Sequence, residues 1–157
     1  MCVLLRLGQF GAFSVASGDR KTISLGAKHQ ALLALLSTAE SGVRTRAFLE
    51  QTLWSLAQPE QAKASLRTAL STLRRHLGPT AAQVLSANRE RVILDLKQVA
   101  FEEPVQGTEF MEGFELPYEV NFARWLQTTR SEMARRQNAR SPGPEHVKRQ
   151  RLDSLLP

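Results

Sequence analysis

The spacing of hydrophobic residues changes along this chain, and each change marks an element. Val3 to Leu7, Gly11 to Val15 and Thr22 to Leu25 alternate or run apolar, which predicts three short strands. Gly8 and Gly11 punctuate the first gap, and Ser17-Gly18-Asp19-Arg20 has the composition of a hairpin turn. From Lys28 to Ala39 the spacing becomes helical, with Ala31, Leu32, Leu35 and Leu36 on an apolar face. Gly42 ends that stretch, and Val43-Arg44-Thr45 forms a connector with room for one extended pair. A second helix is predicted over Arg46 to Ser55, its apolar side made by Ala47, Phe48, Leu49, Leu53 and Trp54.

The run Pro59 to Gly78, PEQAKASLRTALSTLRRHLG, is the most informative. Ala62, Leu66, Ala69, Leu70, Leu73 and Leu77 recur at three- and four-residue steps and form one apolar stripe. Lys63, Arg67, Ser71, Arg74 and Arg75 lie off the stripe, with no carboxylate among them. Pro59 and Glu60 suit a first helical turn, and Gly78-Pro79 stops the helix. A cationic face of this width fits a DNA major groove, whereas the plainer reading is a solvated surface helix.

Two β-rich runs follow, Val84-Leu85-Ser86 and Arg91 to Leu94, joined by Ala87-Asn88-Arg89-Glu90, and they predict a hairpin between about Gln83 and Leu96. The expected fold is therefore α+β. It is a winged helix-turn-helix with a small antiparallel N-terminal sheet and a C-terminal hairpin wing, followed by a short α-helical extension. Beyond Val99 the texture changes, with Glu102-Glu103-Pro104 near the boundary and an apolar turn over Phe110 to Tyr118. Glu119 to Gln137 reads as helix, with Tyr118, Phe122, Trp125, Leu126, Thr129 and Met133 on one face. The expected organisation is residues 1–99 as a DNA-binding domain, 100–137 as a helical segment and 138–157 as a mobile basic tail.

Charge sharpens this division. The 157 residues carry a formal net charge of +6. Residues 1–99 hold thirteen Lys and Arg against six Asp and Glu, residues 100–137 four against seven, and the rest four against two. The basic excess belongs to the N-terminal unit and implies an anionic partner. The lone cysteine, Cys2, excludes an internal disulfide. No apolar run has the length of a membrane span, and the first ten residues lack the features of a signal peptide. A cytoplasmic location without membrane contact is expected.

Enzyme chemistry is not expected. His29, His76 and His146 are scattered, without metal-ligand spacing, and there is no phosphate-binding loop or nucleophile elbow. The Gly8/Gly11 pair lacks the rest of a dinucleotide fingerprint, and the carboxylates at 102, 103, 109, 112 and 115 suit helix starts. No cofactor and no metal are expected.

The residues quoted suggest a family. LLRLGQFGAFSV, ALLALLSTAE, Leu53-Trp54 and QAKASLRTALSTLRRHLG resemble the OmpR-like winged-helix domain of SARP-type bacterial transcription activators. GTEFMEGFELPYEVNFARWLQTTRSEMARRQ resembles the opening of the bacterial transcriptional activator domain that follows it in that family. Together these pieces cover about residues 3–137, with only the first long helix of the activator domain. The resemblance implies a sequence-specific regulator of transcription that binds direct repeats in double-stranded DNA. A homodimer formed on DNA and contact with RNA polymerase are further implications.

In that reading the third helix enters the major groove, with Arg67, Thr68 and Ser71 at base edges. Arg44, Thr45, Arg46, Lys63, Arg74 and Arg75 hold phosphates, and Asn88, Arg89 and Arg91 of the hairpin meet the minor groove. Phe48 and Trp54 are assigned to the core, and His76 to the helix-end dipole. A second reading is a protein-interaction module whose partner face is Tyr118, Phe122, Trp125, Leu126 and Met133.

Overall fold

The structure, a computed structural model, describes residues 2 to 140. It is a mixed α+β arrangement in which two three-stranded sheets flank a group of helices. The chain begins with β1 (Leu5–Gly8) and β2 (Ser14–Ser17), then α1 (Ala27–Ser37). Next come β3 (Val43–Thr45), α2 (Arg46–Leu53) and α3 (Pro59–Ala81). The hairpin strands β4 (Leu85–Ala87) and β5 (Arg91–Leu94) follow, then β6 (Val99–Phe101) and α4 (Val120–Arg140).

Seven consecutive residues of α1, Ala31 to Ser37, are buried. A helix buried all round is a central one, not the one-faced helix that Ala31, Leu32, Leu35 and Leu36 predict. Leu33 and Ala34 have no access to solvent either, because α2, α3 and the strands β3 and β5 pack against this short Leu/Ala segment. In α3 the predicted stripe is buried at Ala62, Leu66, Ala69, Leu70, Leu73 and Leu77. Gly78, at φ +85°, breaks the regular helix where Gly78-Pro79 was expected to stop it, and one further turn reaches Ala81.

The N-terminal sheet differs from expectation. Its order is β2-β1-β6, with β1 antiparallel to β2 and parallel to β6, so the sheet is mixed rather than antiparallel. The third strand predicted at Thr22 to Leu25 reduces to a single bridge between Ala16 and Thr22. Thr22 and Ser24 are exposed, and the chain turns at Leu25 into α1, so the segment is too short and too polar to extend the ladder. Leu5, Arg6 and Leu7 instead pair with Val99, Ala100 and Phe101. The division expected after residue 99 therefore falls inside a strand of this sheet.

The second sheet has the order β3-β5-β4. The expected hairpin is present, and the connector at Val43 to Thr45 supplies the extra strand along β5. Gly42 makes that approach possible at φ +70°, since a Cβ there would lie 2.1 Å from the carbonyl oxygen of Leu94.

Residues 102–119 wrap back onto the loop between β1 and β2. The amide of Met111 donates to Gln9 and that of Glu112 to Gly11, while Phe10 meets Phe110 edge to face at 6.1 Å. Arg130 of α4 donates from Nε to the Phe110 carbonyl at 2.9 Å and from Nη2 to the Met111 carbonyl at 2.6 Å. α4 continues as helix through Arg140, past residue 138 where a tail was expected to begin. The rest of that expected tail lies outside the described residues.

Candidate nucleic-acid interface

Thr45 ends β3 and caps α2, its Oγ1 accepting from the Phe48 amide at 3.1 Å. As acceptor in the cap, the hydroxyl keeps its own hydrogen for a ligand at this helix N-terminus. Arg46 begins α2 and is tied to the hairpin. Its amide donates to the Glu90 carbonyl at 2.8 Å and its Nε to the Asn88 carbonyl at 2.6 Å. Asn88 shapes the turn, because its Oδ1 accepts from the amides of Glu90 and Arg91 at 2.9 and 2.8 Å. Asn88 was expected at the minor groove. Its carbonyl oxygen is engaged in the hairpin, and only its amide hydrogens remain free.

These contacts bring the start of α2, the middle of α3 and the hairpin tip around one open groove of about 800 Å³. Lys63 and Arg67 come from α3, Thr45 and Arg46 from the start of α2, and Asn88 and Arg89 from the hairpin. Ala47, Glu50 and Glu90 complete the lining. Arg67 and Arg89 are exposed and make no ion pair among the described residues, although Glu50 and Glu90 share their groove. Lys63 pairs at 3.5 Å with exposed Glu60, a contact of little energy in water. The lining carboxylates were missed by the sequence reading. Glu50 lies four residues after Arg46, so helical spacing alone puts both on one face of α2.

Not every predicted residue joins the groove. Thr68, Ser71 and Arg75 are exposed on α3 and Arg74 is half-buried, but none of them lines the groove, and Arg91 lies beside it on β5. Arg44 is turned inward. Its Nε donates to the Leu35 carbonyl at 2.9 Å, and its guanidinium lies 4.7 Å from the Phe48 ring centroid. Burial pushes its pKa below the ordinary arginine value. The α1 carbonyl holds Nε and the Phe48 ring backs the guanidinium, so Arg44 has a structural role beyond the phosphate contact expected of it.

The expected partner face is largely covered by the chain itself. Phe122 and Leu126 are buried in the core, and Trp125 packs 6.1 Å from Phe110 and 5.4 Å from Phe122. Met133 is half-buried against the same core, whereas Tyr118 is 83% exposed. Trp54 and Phe48 pack on the core as expected, with Lys28 Nζ 4.9 Å from the Trp54 ring. His76, two residues before the break at Gly78, also stacks on His29 with centroids 6.2 Å apart.

Among the described residues no group of three His, Cys, Asp or Glu side chains is arranged to hold a metal ion. Nor is any described helix long and apolar enough to cross a membrane.

The sequence matches no family model and no curated protein. Among solved structures the chain is similar to Mycobacterium tuberculosis EmbR, solved in complex with a low affinity phosphopeptide, at a TM-score of 0.51 and 24% identity. The likeness covers 61% of this chain and 27% of that one, so the matched part is little more than a quarter of EmbR's length. What the two share is a fold, small sheets set against several helices.

Proposed function

We propose that this chain is a DNA-binding regulator of transcription, built on a winged helix-turn-helix. α2 and α3 form the helix-turn-helix, with α3 in the major groove, and the β4–β5 hairpin is the wing at the minor groove. The observation that carries the reading is the groove itself. Three separate elements converge on it, and each brings at least one cation or free hydrogen-bond donor. A duplex offers phosphates beside the base edges, and this arrangement puts further donors in the same groove as Arg67. The fold likeness to EmbR and the resemblance of residues 3–137 to SARP-type regulators support the same conclusion.

Within this reading Arg67 takes the base edge, where a guanidinium fork matches O6 and N7 of guanine. Thr68 and Ser71 lie further round the exposed side of α3 and extend the base contact. Lys63, Thr45 and Arg46 hold phosphate on one flank, and Arg74 and Arg75 hold it further along α3. Arg89 and Arg91 take the minor groove, where A·T-rich sequence deepens the negative potential. Occupation of direct repeats by two copies, and contact with RNA polymerase, belong to the same proposal. The rival reading, a partner seam on α4, loses its surface to packing at Phe122 and Leu126.

The test is selection of tight binders from a random duplex pool, followed by titration of the selected duplex with salt. Wild type is expected to bind with an affinity that falls steeply as salt rises. Arg67→Ala is expected to bind about tenfold or more weakly and to discriminate less at one base pair. No binding by wild type at low salt would overturn the proposal.

A further inference from the structure

Glu119 stands one residue before α4 and is only 8% exposed, yet its carboxylate is fully engaged. Oε2 accepts from the backbone amide of Ser55 at 3.0 Å and from its hydroxyl at 2.8 Å. Oε1 accepts from Lys28 Nζ of α1 at 3.1 Å. Lys28 also donates to the Leu53 carbonyl, which ends α2. Two residues beyond Glu119, Asn121 Nδ2 donates to the Gln51 carbonyl at 2.8 Å. The start of α4, the start of α1 and the end of α2 thus meet at one buried carboxylate. Burial works to raise its pKa, but the Ser55 hydrogen bonds and the Lys28 charge outweigh it and hold the group below the usual glutamate value.

A buried carboxylate is costly unless donors compensate it, and a helix start needs only a surface cap. The donors here come from other elements, and one of them is the turn that aims α3. Trp54 leaves the helical region at φ −135° and ψ 50°, Ser55 follows it, and α3 begins at Pro59. Ser55 lies in the turn from which α3 departs, so what holds Ser55 acts with the packing of the apolar stripe to set the direction of that helix. Arg67 lies eight residues into that helix, about 12 Å along its axis at 1.5 Å per residue. A tilt of about 5° at the turn therefore moves Arg67 by about 1 Å, enough to spoil a bidentate contact with a base.

We propose that Glu119 is a positioning residue for the DNA interface: through Ser55 and Lys28 it sets the α2–α3 turn and hence the angle at which Arg67 meets a base pair. The inference rests on the DNA-binding reading above. It makes the α4 segment a working part of the interface, although Glu119 itself does not line the groove.

The experiment compares wild type, Glu119→Gln, Ser55→Ala, Ser55→Thr, Arg67→Ala and the Glu119→Gln/Arg67→Ala double variant on two probes, the duplex selected by wild type and the unselected random pool. Glu119→Gln and Ser55→Ala are expected to weaken binding to the selected duplex about tenfold and to the pool less than about twofold, because phosphate contacts tolerate small tilts. Ser55→Thr, which keeps the hydroxyl, is expected to restore selectivity. In the Arg67→Ala background Glu119→Gln is expected to add nothing further, since the contact it positions is already gone. A general loss of stability would weaken both probes alike and add to the Arg67→Ala effect, and that result would overturn the inference. Wild-type selectivity in both Glu119→Gln and Ser55→Ala would also overturn it while leaving the DNA reading intact. Should Glu119→Gln fail to fold, the Ser55→Ala and Ser55→Thr pair decides. If wild type binds neither probe, the DNA reading falls and the positioning role falls with it.

Discussion

Arg44 and Arg67 carry the same guanidinium on the same basic unit. Arg44 lies over Phe48 with its Nε on the Leu35 carbonyl, while Arg67 reaches into an open groove with no ion pair among the described residues. Charge alone did not separate them, because each is flanked by one apolar residue and one threonine, Val43 and Thr45 or Leu66 and Thr68. What separates them is a carbonyl of α1 and an aromatic face, and neither is adjacent to Arg44 along the chain. Arg44→Ala is expected to lower unfolding free energy by about 1–3 kcal/mol, through the lost hydrogen bond and cation–π contact. Urea denaturation measures this, and DNA affinity is expected to change far less than in Arg67→Ala. For the same reason Asn88 was legible as a turn residue, while the use of its side-chain oxygen inside that turn was not.

At the scale of elements, the helices and the hairpin were legible because local spacing specifies them. The α3 stripe from Ala62 to Leu77 is buried as read, and the hairpin turns at Asn88. The partner of β1 was not legible, since three residues at Val99 to Phe101 carry too little pattern to announce a distant parallel pairing. The burial of Ala31 to Ser37 on every side escaped for a related reason: which sides of a Leu/Ala helix are covered depends on what surrounds it. Contacts between elements also create the histidine pair of α1 and α3. Burial, and then the neighbouring His76, hold the His29 pKa below its ordinary 6.5. The folded state therefore takes up this proton less readily than the unfolded chain. The contribution to stability is complete above the unfolded value and is lost as pH falls through 6.5 toward the lowered folded value. Melting temperature is expected to drop between about pH 8 and about pH 5 in wild type, and to drop less in His29→Gln. Glu119, whose pKa is lowered from 4.5, loses its contribution only in more acidic solution, so the two effects separate along the pH axis.

At the scale of the molecule, the acidic segment and the basic unit share one core. Phe110, Met111, Phe122 and Leu126 are buried with Leu5, Leu7 and the α1 leucines, and Arg130 fastens α4 to the 110–111 carbonyls. The described residues are therefore expected to unfold in a single transition, with circular dichroism and tryptophan fluorescence coinciding. Phe122→Ala is expected to cost about 3–5 kcal/mol and to shift both signals together. Two separate transitions would mean that α4 folds on its own. The parallel pairing of β1 with β6 also has a bearing on biosynthesis. Leu5 and its neighbours are made before their partner strand, which follows only after all of α1, α2, α3 and the hairpin. During that interval one side of β1 is an unpaired edge, which is where chaperones or a neighbouring nascent chain gain access. A chain arrested just before Val99 should be far more susceptible to proteolysis and aggregation than one extended past Phe101.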